Sequence, residues 1–403
     1  MVEIYPNRRQ VLKSVGGTGA VLGSNYLITG NVIAEDSHDR KRRQLGEVFK
    51  STEDRQKKHQ GGGNVETEKK YYTIPRSQWI RVETAQTACK RLSREMLELE
   101  PSGLVTVSVV SEYNRPKSEK RLNVEYTRIK RKLRDGSEET IAEPSVDYEE
   151  VETESPYTVS GGVEDQEGQA ERKLEVSVTE QTLYEQNCQT STIGNYYYSH
   201  YYDQCPGGAS VSTDSSGGTS CAPGNHSQGH VIVTAAHIPD TDVGDKVYQP
   251  NGDLLGEVIS RSYSGDGDPY PSDGVAILID GSRWFYYGLA SDSGDNTYWR
   301  DIDGTLSWDA IKDMEDNALE QMEKQGKRTG RCAGKVTATY NPGSIRYFTT
   351  AAKNASGDSG GVHFHIDNTG DTLVSGIHKG DANGDAMAPF IKDQYDELGL
   401  TFF

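Results

Sequence analysis

Short apolar runs broken by glycine, aspartate, asparagine and serine fill the chain from about Thr190 to its end. Such spacing predicts an all-β unit over 190–403, consistent with two six-stranded barrels. Within it the uninterrupted run Val275 to Ile279 reads as a buried strand. One stretch departs from this pattern. Between Ser307 and Gln325 the residues Trp308, Ile311, Met314, Ala318 and Met322 recur at helical spacing and predict a helix packed on the barrel surface. Upstream, residues 71–180 read as a small α+β domain without a catalytic motif of its own. Trp79 to Val82 is strand-like, and Thr84 to Leu99 is a helix with Ala85, Ala88, Leu92, Met96 and Leu99 on one face. Leu104 to Val110 is a β-branched run, and Leu122 to Tyr126 alternates like a half-buried strand. Lys173 to Val178 either pairs with this unit or connects it onward. Residues 35–70, charge-dense and punctuated by Lys41-Arg42-Arg43 and Gly61-Gly62-Gly63, predict a flexible linker.

The chain has 403 residues, only 33% of them hydrophobic, and a mean hydropathy of −0.73. That leaves room for two domains but implies much solvated surface. The net charge of −18 is concentrated in the second half, where 201–403 holds about 29 acidic residues against about 14 basic ones. Such a surface repels phosphate and excludes nucleic acid as a partner. It also suits concentrated salt, which screens the self-repulsion, and points to an extremely halophilic source. Five cysteines leave an odd thiol, and no Cys-x-x-Cys unit suggests a zinc site. Cys205 and Cys221, flanking a Gly/Ser-rich stretch, form the expected disulfide. Cys188 and Cys332 remain without an assigned pairing.

Chemistry concentrates in three places. Val233-Thr234-Ala235-Ala236-His237 ends an apolar strand, Ser272-Asp273-Gly274 opens another, and Gly357-Asp358-Ser359-Gly360-Gly361 follows far downstream. A serine needs a base to take its proton, the base needs a carboxylate to fix its tautomer, and an oxyanion needs backbone N–H groups that glycine lets approach. Asp273 is preferred to Asp266 or Asp268 as the carboxylate because it immediately precedes the buried run, where a strand end holds its side chain.

These motifs resemble the chymotrypsin-like serine peptidases, in which histidine, aspartate and serine follow in this chain order. The resemblance covers roughly the last 200 residues and implies a chymotrypsin-like double six-stranded β-barrel in a mainly β protein. It implies Ser359 as nucleophile, His237 as general base and Asp273 as its orienting carboxylate. The N–H groups of Gly357 and Ser359 would form the oxyanion hole, with no cofactor and no metal. Asp358 would pair with a new N-terminal amine or be satisfied internally. Ser375 would bond the triad carboxylate and, with Gly376, begin the substrate-pairing strand. Lys353 and Ser356 would line the specificity pocket, where Lys353, with His378 nearby, would favour acidic side chains. Gly326 to Val336 is similar to a stretch of the bacterial streptogrisin and α-lytic branch ahead of the nucleophile. Ile238 stands where many relatives have a cysteine, so their histidine-loop disulfide is missing.

Residues 1–34 carry Asn7-Arg8-Arg9-Gln10-Val11-Leu12-Lys13 before a mildly apolar stretch to Ala34. This resembles a twin-arginine export signal of the haloarchaeal type. Together these features lead to the expectation of a secreted, monomeric serine endopeptidase acting on peptides or proteins, with no membrane attachment once the signal is removed. The 71–180 domain would be a removable pro-region, a partner-binding module or a permanent extension. The rival expectation is a secreted binding protein that kept the fold and lost activity.

Overall fold

The computed structural model describes residues 40–59, 65–100, 104–111, 120–132, 138–165, 168–185, 202–263, 272–280, 284–291, 298–316, 321–341, 344–382 and 384–403. The export signal, Asp266, Asp268 and Cys188 lie outside them.

Seven antiparallel strands build the first barrel of the C-terminal half. Their order is Gly217–Thr219, Ser210–Ser212, Lys246–Tyr248, Leu254–Tyr263, Asp273–Ile279, Gly229–Thr234 and Pro223–His226. The predicted buried run lies at its heart. Val275, Ala276 and Ile277 pair with Thr234, Val233 and Ile232, and with Val231 opposite Leu278 the strands bury all of their apolar pairs but Leu278 completely. Burying a side chain of this kind is worth about 1.5–3 kcal/mol. This register brings the loop that follows Thr234 beside Asp273 at the start of the next strand.

The second barrel is shared between two sheets. One runs Thr67–Pro75, Arg40–Phe49, Gly304–Leu306, Thr372–Ile377, Val362–Ile366, Met322–Gly326 and Gly330–Gly334. The other begins Gly380–Ala382, Asp385–Pro389, Tyr347–Thr350 and Val336–Tyr340, then continues through Val105–Ser111, Lys120–Lys132, Gly168–Glu185 and Thr158–Asp165. The protein is mainly β, and its upstream α+β unit is welded into the sheets of the second barrel.

Several expectations are corrected. Residues 35–70 are no plain linker, because Arg40–Phe49 is a strand, Thr52–His59 a helix and Thr67–Pro75 a second strand. The charges that suggested a solvated segment lie beside Leu45 and Val48, which are buried in the second barrel's core. Trp79 to Val82 is helical, not extended. The helix runs Arg76–Leu99 directly after Pro75, and Val82, Ala85, Ala88, Cys89, Leu92 and Met96 form its buried stripe. That stripe packs on Val105, Val107, Leu122 and Val124. Of the stretch expected to be helical as far as Gln325, Trp308–Asp316 is a helix, while Met322 to Gln325 lie in a buried strand. Cys205 and Cys221 stand as separate buried thiols, and no disulfide occurs among the described residues.

A polar chain ties the α+β unit to the barrel. Lys120 Nζ lies 2.9 Å from the fully buried Glu315 carboxylate, whose other oxygen accepts from Thr339 Oγ1 at 2.8 Å. Gln86 donates to the same threonine hydroxyl at 3.0 Å. Glu315→Ala should therefore cost about 3–5 kcal/mol in denaturant unfolding, since it leaves an ammonium buried without its counter-charge. The double variant Lys120→Met with Glu315→Leu should recover most of that loss. A single variant as stable as the parent would show that the pair carries no such cost.

Candidate active site

Two barrels contribute the three candidate side chains. His237 follows the strand Gly229–Thr234, Asp273 opens Asp273–Ile279, and Ser359 sits in the tight loop before Val362–Ile366. His237 Nδ1 lies 2.7 Å from Asp273 Oδ2, and His237 Nε2 lies 2.8 Å from Ser359 Oγ. An ionised carboxylate only accepts, so Nδ1 carries the imidazole proton and Nε2 is left to accept from the serine hydroxyl. The three residues expected from sequence are thus brought into one hydrogen-bonded line. Asp358 and Ser359 are fully buried, and the His237 side chain retains 11% exposure.

The carboxylate of Asp273 is held from several sides. Its Oδ1 accepts the backbone N–H groups of Ala236 at 2.8 Å and His237 at 2.9 Å. Its own N–H donates to Gln394 Oε1 at 2.9 Å, and Gln394 Nε2 donates to Ser272 Oγ. Complete burial pushes the carboxyl up. The charge and hydrogen bonds of His237, with Lys379 nearby, outweigh that and hold it below its ordinary range.

The nucleophile loop is fixed by a second buried charge. Asp358 Oδ2 accepts from Lys324 Nζ at 2.6 Å, Thr329 Oγ1 at 2.7 Å and the Ala355 N–H at 3.1 Å. Its Oδ1 accepts the N–H groups of Arg328 and Thr329. Neither Lys324 nor Asp358 is exposed at all. Asp358 is therefore satisfied internally by Lys324, at the hairpin of the Gly326 to Val336 stretch. Nothing in the sequence marks Lys324 as its partner, since the two lie 34 residues apart.

Gly357 has φ +103° and Gly360 φ +84°. At Gly360 a Cβ would fall 2.1 Å from Thr234 Oγ1 and 2.2 Å from the Thr219 carbonyl oxygen, so only glycine lets the loop lie this close to the histidine strand. Thr219 donates from Oγ1 to the Gly357 carbonyl and from N–H to the Ser359 carbonyl. Among the described residues the Gly357 and Ser359 N–H groups have no intramolecular acceptor, which leaves both available to a developing oxyanion.

The expected pocket residues do not assemble as the sequence suggested. Ser375 Oγ bonds Met322 Sδ at 3.0 Å, not Asp273. Gly376 is locked between strands, opposite His363 on one side and bridged to Phe390 on the other. Both edges of Thr372–Ile377 are occupied, so no substrate can pair there. The segment beside the nucleophile is three residues further on. His378 donates its N–H to Gly361, and its carbonyl accepts from the Gly360 N–H. Lys353 and Ser356 are exposed, so the Lys353 ammonium is not a buried pocket floor.

Sequence reasoning missed the partner of His378. The fully buried rings of His363 and His378 stack with centroids 5.5 Å apart, and His363 Nε2 lies 3.3 Å from His378 Nδ1. His378 Nε2 and His363 Nδ1 are buried with no hydrogen-bond partner among the described residues. Burial, then the charges of His378 and Lys324 for His363, and of Lys324 and His237 for His378, pushes both imidazoles well below their ordinary range.

The fold is mainly β, and the line of Asp273, His237 and Ser359 lies between its two barrels. No family model matches the chain, and no curated protein matches it. Two solved structures are similar to it over about half its length. One is a glutamic-acid-specific serine protease described as using a histidine triad in substrate binding, 20% identical, with 49% of this chain covering 100% of that one at a TM-score of 0.38. The other is protease A of Thermobifida fusca, 17% identical, with 49% of this chain covering 96% of that one at a TM-score of 0.35.

Because both histidines are neutral when folded and titrate near 6.5 when unfolded, the unfolded chain binds more protons in mild acid. Their contribution to stability is complete above about pH 6.5 and is lost as pH falls below it. The variant His363→Leu should flatten the slope of unfolding free energy against pH below about 6.5. An unchanged slope would show that His363 does not titrate differently in the two states.

Proposed function

We propose that this chain is a serine endopeptidase that hydrolyses peptide bonds through an acyl-enzyme on Ser359. The observation that carries the reading is the unbroken line from the buried Asp273 carboxylate through His237 to Ser359 Oγ, at 2.7 and 2.8 Å. Ser359 Oγ attacks the scissile carbonyl carbon while His237 Nε2 takes its proton. The N–H groups of Gly357 and Ser359 take up the oxyanion charge, and Asp273 stabilises the imidazolium. That imidazolium then protonates the leaving amine. Water, deprotonated by the same imidazole, hydrolyses the ester and restores the serine. The substrates are peptides or proteins.

The same site supports an acidic preference at the residue whose carbonyl is attacked. His378 flanks the nucleophile loop, and its Nε2 lacks an intramolecular partner among the described residues. Where a substrate side chain opens the buried face of His378, its neutral imidazole can present N–H to a carboxylate, and His363 behind it can pass on or accept the compensating hydrogen bond.

Ser359→Ala should abolish peptide hydrolysis and fluorophosphonate labelling while the far-ultraviolet circular dichroism is unchanged. Asp273→Asn should cost on the order of 10⁴ in turnover, the magnitude known for this change in the well-studied serine protease triad. Cleavage by the Ser359→Ala protein would exclude the mechanism. In a peptide-library profile the parent should cut after Glu or Asp, and His378→Val should lower kcat/KM for those substrates more than for neutral ones. A profile dominated by Arg and Lys or by aromatic residues would rule the acidic preference out.

A further inference from the structure

We propose that residues 40–185 are a permanent part of the active enzyme, retained in the working protein whether or not the chain is cut after them. The first seam is the strand Arg40–Phe49. It pairs with Gly304–Leu306 in the register Gly46↔Leu306 and Val48↔Gly304, and Gly304–Leu306 pairs in turn with Thr372–Ile377, which leads directly to His378. Leu45 and Val48 are 0% and 2% exposed and pack with Leu373, Phe348 and Phe390. Phe49 enters the other core, edge-on to Tyr287 at 5.5 Å and to Phe403 at 5.0 Å. Taking this strand away would open both barrel cores to water and bare a sheet edge.

Charges say the same. The Arg43 guanidinium, 6% exposed, binds the equally buried Asp313 at 3.2 Å and Glu83 at 2.6 Å, and Tyr72 donates to Asp313 as well. Lys70 neutralises Asp367, whose side chain is fully buried, and also binds Asp371. Arg55 pairs with Asp301 and Asp303, and Lys120 with Glu315. Every one of these cations comes from the upstream segment and most of their carboxylates from the peptidase half. Shedding the segment would strand buried carboxylates in an already acidic half.

The second seam is the pairing of Val105–Ser111 with Val336–Tyr340, Tyr340 opposite Ser108. The long strand Gly168–Glu185 of the same unit packs against Gly380–Ala382, just beyond His378, so the upstream unit reaches the segment that follows the residue bonded to the nucleophile loop. Nor does the nucleophile loop call for a new N-terminus, because Lys324 already supplies the cation for Asp358.

The test introduces a recognition site for a specific protease into the full chain within 186–201, outside the described residues, and cuts it there. The retention arm is native size-exclusion chromatography followed by denaturing electrophoresis. Both fragments should co-elute at the position of the 44.4 kDa chain with no loss of fluorophosphonate labelling. A catalytic fragment that elutes alone and labels as well as the intact chain would overturn the proposal. So would a co-eluting pair that labels only once the upstream fragment is stripped away, since the segment would then be an inhibitor. A stripped catalytic fragment that aggregates or fails to label supports it. The labelling arm rests on the peptidase reading. If the intact chain never labels, that reading fails, and co-elution alone still decides retention.

Discussion

A carboxylate buried without solvent must be met by donors or it will not stay ionised, and Asp273 is the point at which this constraint organises the molecule. Two backbone N–H groups and the His237 ring meet it. Those donors exist only if the loop after Gly229–Thr234 turns back over the start of Asp273–Ile279, and that turn exists only in the register that sets Thr234 opposite Val275. The apolar pairing of Val231 to Val233 with Ala276 to Leu278 is therefore what makes the charge tolerable. The charge in turn fixes the imidazole tautomer that faces Ser359. Core and site are one arrangement at this seam.

A second buried charge does the same for the nucleophile. The Lys324–Asp358 pair, with four further donors from the Thr329 hydroxyl and the backbone of Ala355, Arg328 and Thr329, holds the residue next to Ser359 from one side. Thr219 and the close approach at Gly360 hold it from the other. Removing either partner of a fully buried ion pair leaves an uncompensated charge, so this loop has little freedom to rearrange. The two buried charges fix the relay from opposite barrels, and the hydroxyl–imidazole contact at 2.8 Å is where they meet.

The relay was legible in the sequence because each of its residues sits in a local context that chemistry demands: a strand end, a strand start and a glycine-flanked turn. Asp273 could be preferred over its neighbours for the same reason. What failed was anything that depends on register or on distant partners. The resemblance implies Ser375 and Gly376 as the start of the substrate-pairing strand, but the neighbouring strands and Phe390 occupy both edges of Thr372–Ile377, and the residue that bonds the nucleophile loop is His378. Lys353 was judged by position alone and proves to be exposed. The strand Arg40–Phe49 was hidden because its apolar residues are few and its buried cation Arg43 is neutralised by Asp313, 270 positions away, while Lys41 pairs with Asp165, pairings that local composition cannot reveal. Trp79 to Val82 misled because β-branched and aromatic residues favour strands on their own, while the stripe from Val82 to Met96 made them the first turns of a helix.

The most direct measurement of the account is a crystal structure of the full chain after reaction with a fluorophosphonate. The phosphorus should be bonded to Ser359 Oγ, with its oxygen accepting the N–H groups of Gly357 and Ser359 and with His237 still held by Asp273. A phosphonyl group on another residue, or one on Ser359 whose oxygen points away from both N–H groups, would contradict it.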